Sequence, residues 1–113
     1  MIIVSKSISL SELKKMAEER FGILVKAVID VEKEIMAVDA ELHADQEALL
    51  LEKGSKQEDL WGINIYPEMP ENVRTEFDSM INLRPSQGNR TRGVDSPQIR
   101  QKIIEIVNKL VTK

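Results

Sequence analysis

Across Gly22 the apolar residues change period, and that switch limits the fold more than any other feature of the chain. Leu13, Met16, Ala17 and Phe21 recur at helical intervals, whereas Val25, Ala27, Ile29 and Val31 fall on every second position, with Lys26, Asp30 and Glu32 in the alternate set. A helix must therefore stop at Gly22 and a strand must follow it. The helix has a matching start: Ser9 and Glu12 have capping-box spacing, and Ile8 and Leu13 stand at hydrophobic-staple positions. Gly22 suits the left-handed end of such a helix. Before it, Met1 to Val4 reads as a short buried strand.

Glu32-Lys33-Glu34 is a charged turn, and Ile35 to Asp39 reads as a second strand. One long helix over 24–38 competes with this hairpin, because Glu, Lys and Ala favour helices. The β-branched residues crowded between 25 and 38 favour the hairpin. Asp45 then offers a cap for a helix to about Lys53, with Leu49, Leu50 and Leu51 on a wide apolar arc and Gly54 as the stop. Leu60 to Tyr66 forms a strand with Trp61, Ile63 and Ile65 on one side. Pro67 to Pro70 breaks it, and Thr75 to Arg84 is expected to return beside it. The last helix opens at Asp95-Ser96-Pro97 and carries the stripe Ile99, Ile103, Ile106, Val107 and Leu110, with Lys109 and Lys113 at the negative end of its dipole.

The expected order is β-α-β-β-α-β-β-α. It implies one α+β domain over residues 1–113: a two-layer sandwich with helices on one face of a mainly antiparallel or mixed sheet. In an antiparallel pair, opposite residues share a face, so a 60–84 hairpin that buries Trp61, Ile63 and Ile65 turns Asn64, Tyr66, Asp78, Met80, Asn82 and Arg84 outward. The opposite sheet face is then expected to be solvated and polar.

At 113 residues, 42% hydrophobic and 31% charged, the chain has the composition of a soluble globular protein, long enough to bury a core without staples. With no Cys, disulfides and thiolate metal sites are excluded. The apolar run at Met1-Ile2-Ile3-Val4 is too short for a signal peptide, and no run approaches the ~20 apolar residues of a membrane span. A cytoplasmic location is the expectation. Charge is unevenly spread: residues 1–59 carry 8 Lys/Arg against 13 Asp/Glu, and residues 60–113 carry 8 against 6. The basic residues Arg84, Arg90, Arg92, Arg100 and Lys102 face a single acid, Asp95, in that stretch, which suits a compact anionic ligand or an acidic partner better than long duplex nucleic acid. Single-stranded nucleic acid stacking on Trp61 or Tyr66 ranks lower, because aromatics make up only 4% of the chain.

His43-Ala44-Asp45 with Glu47, Leu60 to Pro67, Phe77-Asp78-Ser79 with Ile81-Asn82, and Arg84-Pro85-Ser86-Gln87-Gly88-Asn89-Arg90 resemble the pattern of a small family of bacterial proteins carrying a domain of unknown function. The resemblance runs from about Val25 to the final helix. It implies a single domain and brings no catalytic, ligand or cofactor assignment.

Two constellations carry candidate chemistry. The outward set Asn64, Tyr66, Asn82 and Arg84 adjoins a loop with Gln87, Asn89, Arg90 and Arg92, whose forks and amides suit phosphate or carboxylate. Gly88 and Asn89 could add backbone N–H groups in a nest. This surface is expected to bind a small anionic ligand or an acidic protein, or to form a homodimer with Tyr66 and Met80 as anchors. Against it stands a plainer role, in which the arginines pair with Glu76 or Asp78 and the amides bond local backbone. The second constellation suits a small hydrolase or nuclease, with His43 as base, Asp45 or Asp78 as an orienting or metal-binding carboxylate, and Arg84 stabilising developing negative charge. Ser79 and Ser86 are the available nucleophiles, and neither sits in a nucleophile elbow. No metal or cofactor motif reaches useful specificity.

Overall fold

The computed structural model describes all 113 residues, Met1–Lys113. Its elements are β1 (Ile2–Val4), β2 (Ile8–Ser9), α1 (Leu10–Arg20), β3 (Val25–Asp30), β4 (Ile35–Val38), α2 (His43–Glu52), β5 (Leu60–Ile65), β6 (Thr75–Glu76), α3 (Pro97–Leu110) and β7 (Val111–Thr112). The main sheet has the order β1-β4-β3-β5-β6 and every pair in it is antiparallel. A separate parallel pair joins β2 to β7. The fold is α+β, and no helix is long and apolar enough to cross a membrane.

Local signals place the elements where the sequence led. Ser9 caps α1, its hydroxyl accepting from the Glu12 N–H at 3.1 Å, and Gly22 follows with φ +90°. Ser96 caps α3 in the same way, with Pro97 in its first turn. The 25–38 hairpin forms, with Val28 opposite Ala37. Its turn lacks Gly, so Glu34 takes the left-handed conformation (φ 57°) and the Asp30 carboxylate ties the turn by accepting from the N–H groups of Glu32 and Lys33, both at 2.9 Å.

Both faces of the sheet are covered, contrary to the one-sided sandwich expected. Val25, Ala27 and Ile29 of β3 and Trp61, Ile63 and Ile65 of β5 join Leu13, Ile103, Ile106 and Leu110 in the main core beneath α1 and α3. The alternate residues Val28, Ala37 and Leu60 form a smaller core with Leu50 of α2 on the other face. Consequently all six residues of β5 are buried. The expected return strand also fails. Only Thr75 and Glu76 pair with β5, after which the chain leaves the ladder and makes 3-10 turns at Met80–Asn82 and Pro85–Gln87.

Candidate functional site

Once β6 ends, the outer edge of β5 from Leu60 to Gly62 has no strand beside it, yet its backbone groups are buried and need partners. Asn82 supplies them. Its Oδ1 accepts from the Gly62 N–H at 2.8 Å and its Nδ2 donates to the Gly62 carbonyl at 2.9 Å, so one side-chain amide stands in for a strand residue. Ser79 can approach because residue 62 is Gly; a Cβ there would lie 2.5 Å from the Ser79 Cβ. Arg84 completes the edge. Its guanidinium donates to the Leu60 carbonyl at 2.7 Å and to the Gln57 carbonyl, and it stacks on the Trp61 ring at 4.2 Å. Asn89 locks the loop to this edge, its Nδ2 serving the carbonyls of Asn82, Thr91 and Gly93 and its Oδ1 accepting from the Asp95 N–H.

The outward polar face read from strand parity is therefore not there. Asn82, Arg84 and Asn89 are buried and bonded internally, because the parity rule requires a ladder that ends at Glu76. The Gly88–Asn89 nest is closed as well: those N–H groups donate to the carbonyls of Pro85 and Arg84. Tyr66 is half-buried and donates its hydroxyl to Glu76 at 3.0 Å. Gln87 and Arg90 remain exposed, and the Arg90 N–H bonds Asp95 at 2.8 Å.

A different group of polar residues gathers on the α2 side of the sheet. There a cleft of about 220 Å³ is floored by Lys26, His43 and Asn64 and walled by Asp78, Ser79 and Arg92. Lys26 and Asn64 are cross-strand partners and share that face. His43 opens α2, and its Nε2 lies 2.7 Å from the Ile63 carbonyl, so that nitrogen carries the proton and donates. Nδ1 is then the acceptor of the neutral ring. Burial, the largest influence, lowers the His43 pKa below its ordinary 6.5, so the ring is neutral at pH 7. Arg92 donates from Nε to Asp78 at 2.8 Å, which fixes its fork at the cleft wall.

Several groups in this cleft lack a hydrogen-bond or ion-pair partner in the protein. The Asn64 Nδ2 donates to Glu76 at 2.8 Å, but its Oδ1 is buried and unbonded in a residue only 7% exposed. No carboxylate pairs with Lys26, whose ammonium lies 5.3 Å from the Phe21 ring centroid. Leu42 is the N-cap residue of α2 and provides no side-chain cap, so the first helical N–H groups, at His43 and Ala44, are left without one.

The sequence-derived residues are thus partly united and partly separated. His43 and Asp78 share the cleft with Asn64 and Arg92, whereas Arg84 lies on the β5 edge. Asp45 is not the α2 cap. It sits in the first turn, two residues inside, and lines another cavity, an open one of about 460 Å³ along Arg20, Asp39, Glu41 and Glu52. There Arg20 is already held by Asp39 at 2.9 Å. Ser79 is sealed, its hydroxyl accepting from the Ile81 N–H at 3.3 Å, and it makes no bond to His43. Nowhere do three or more His, Asp or Glu side chains gather in a group able to hold a metal ion. Lys26 escaped the sequence reading. Its signal was a lone cation on a strand that proved central, opposite an amide on the neighbouring strand.

No curated protein and no solved structure matches the chain. A family model does, over residues 2–110, and the chain belongs to the family described as Protein of unknown function (DUF5674).

Proposed function

We propose that the chain is a binding domain for a small anionic molecule, held in the cleft between the start of α2, the Lys26–Asn64 pair and Arg92. The observation that carries this reading is the convergence of unpartnered polar groups on one concavity. Lys26 and Arg92 against Asp78 leave one positive charge in excess, beside an uncapped helix start whose N–H groups favour anions. The buried Asn64 Oδ1 and the His43 Nδ1 are acceptors awaiting a donor, so the ligand carries an N–H or O–H besides its anionic group. The volume is below the ~300 Å³ at which drug-sized pockets begin, which suits a metabolite rather than a chain segment of a protein.

Titration with glycolate and with inorganic phosphate, followed by amide and imidazole NMR shifts, tests the reading. Shifts are expected at Lys26, His43, Ala44 and Asn64 and are expected to vanish in Lys26→Gln. Shifts confined to Arg90 and Gln87, or none at all, would overturn it.

A second reading, hydrolysis with His43 as general base, draws on the shared position of His43 and Asp78 in this cleft. The sealed Ser79 leaves water as the nucleophile. Turnover of nitrophenyl esters or phosphodiesters that disappears in His43→Gln would favour this chemistry over binding alone.

A further inference from the structure

Two of the most exposed apolar side chains in the molecule flank the same cleft: Leu42 is 58% and Met80 is 64% exposed. Leu42 holds the N-cap position of α2, where Ser, Thr, Asp or Asn would stabilise the helix by about 1 kcal/mol. Met80 stands on the 3-10 turn that Asn82 fixes to β5, so its position is set by the locked edge rather than by a free loop. Ala44 and Ile81 continue the apolar rim between them. The cleft thus has a cationic, hydrogen-bonding floor and an apolar mouth.

Resting on the small-anion reading above, we infer that the ligand is a short aliphatic 2-hydroxycarboxylic acid whose carboxylate meets Lys26 and the start of α2, whose hydroxyl donates to an acceptor on the cleft floor, and whose hydrocarbon tail lies between Leu42 and Met80. An inorganic anion or a sugar phosphate would leave both side chains in water, where they contribute nothing to affinity. A tail covers them, and Met adapts to its shape through three rotatable bonds. The chain is short, because the cleft measures only about 220 Å³.

The test is a homologous series of glycolate, lactate, 2-hydroxybutyrate, 2-hydroxyvalerate and 2-hydroxyhexanoate, titrated by NMR against the wild-type protein, Leu42→Ser/Met80→Ser and a control, Val73→Ser. Val73 is also exposed and lies outside the cleft. Affinity is expected to rise about two- to fourfold per methylene until the tail outgrows the mouth. The double variant is expected to flatten that slope and the control to preserve it. If the acids bind wild type at Lys26 and His43 with no dependence on length, the tail assignment is wrong and the small-anion reading stands. A slope that survives in the double variant also rejects the tail assignment. If no member of the series binds, both fall.

Discussion

Asn82 is buried against β5 and Asn64 is buried within it, and they are treated in opposite ways. Asn82, at the end of the edge that lacks a partner strand, uses both ends of its amide on Gly62 and a further bond on the Arg92 carbonyl at 2.9 Å. Asn64, at the end where β6 does pair, uses only Nδ2 and leaves Oδ1 unbonded. The same contrast runs through their neighbours. Arg84 and Asn89 bond backbone carbonyls, with only the Arg84 Nε left over, whereas Lys26 lies over the Phe21 ring without a carboxylate or hydrogen-bond partner and no protein group bonds the His43 Nδ1. Buried polarity that builds a fold is partnered by that fold, because an unsatisfied buried group costs about 1–3 kcal/mol. Polarity left over around a concavity is where a ligand is to be sought.

The comparison breaks most visibly at Asn82. Asn82→Ala orphans the Gly62 N–H and carbonyl together, and we expect a loss of about 2–5 kcal/mol in urea unfolding, a large share of a domain's stability. A loss below about 1 kcal/mol would show that water replaces the amide and that the edge is not locked. Arg84→Met is expected to cost about 2–3 kcal/mol through the Leu60 and Gln57 carbonyls while leaving anion-induced shifts at Lys26 in place. Gly62→Ala forces a Cβ against Ser79 and is expected to cost about 1–3 kcal/mol by overpacking.

Smaller effects sharpen the other side. His43 is the only histidine, and its folded pKa lies below the unfolded 6.5. The unfolded chain therefore binds a proton first as pH falls through about 6.5, so stability declines from there until the folded ring protonates. His43→Gln is expected to flatten that segment of the pH–stability curve, and an imidazole NMR titration at or above 6.5 would refute the assignment. Lys26→Gln should change stability least, by under about 0.5 kcal/mol, while abolishing the anion-induced shifts. A large stability loss there would place Lys26 with the structural group.

Most of the local signals could be read directly. Ser9 with Glu12, Gly22, the period-two run from Val25 and Ser96-Pro97 each act within a few residues, and each element stands where those residues put it. The membership of the main core followed from the same stripes. The site was half legible. His43, Asp78, Asn64 and Arg92 were all singled out, but in two constellations, since nothing local states that the start of α2 faces the segment after β6. Asp45 was misplaced by three residues, because an acid in a first turn and an acid at a cap look alike in sequence.

From the amino-acid order alone came the class of fold, the starts of α1 and α3 and the central hairpin, all consequences of short-range periodicity and capping. Only the tertiary structure decided which way Asn82, Arg84 and Asn89 point. A strand edge can be satisfied by another backbone or by a side-chain amide, and the two solutions turn the same residues in opposite directions. The choice depends on where the 77–95 segment lies against Gly62, a long-range contact that no local pattern encodes.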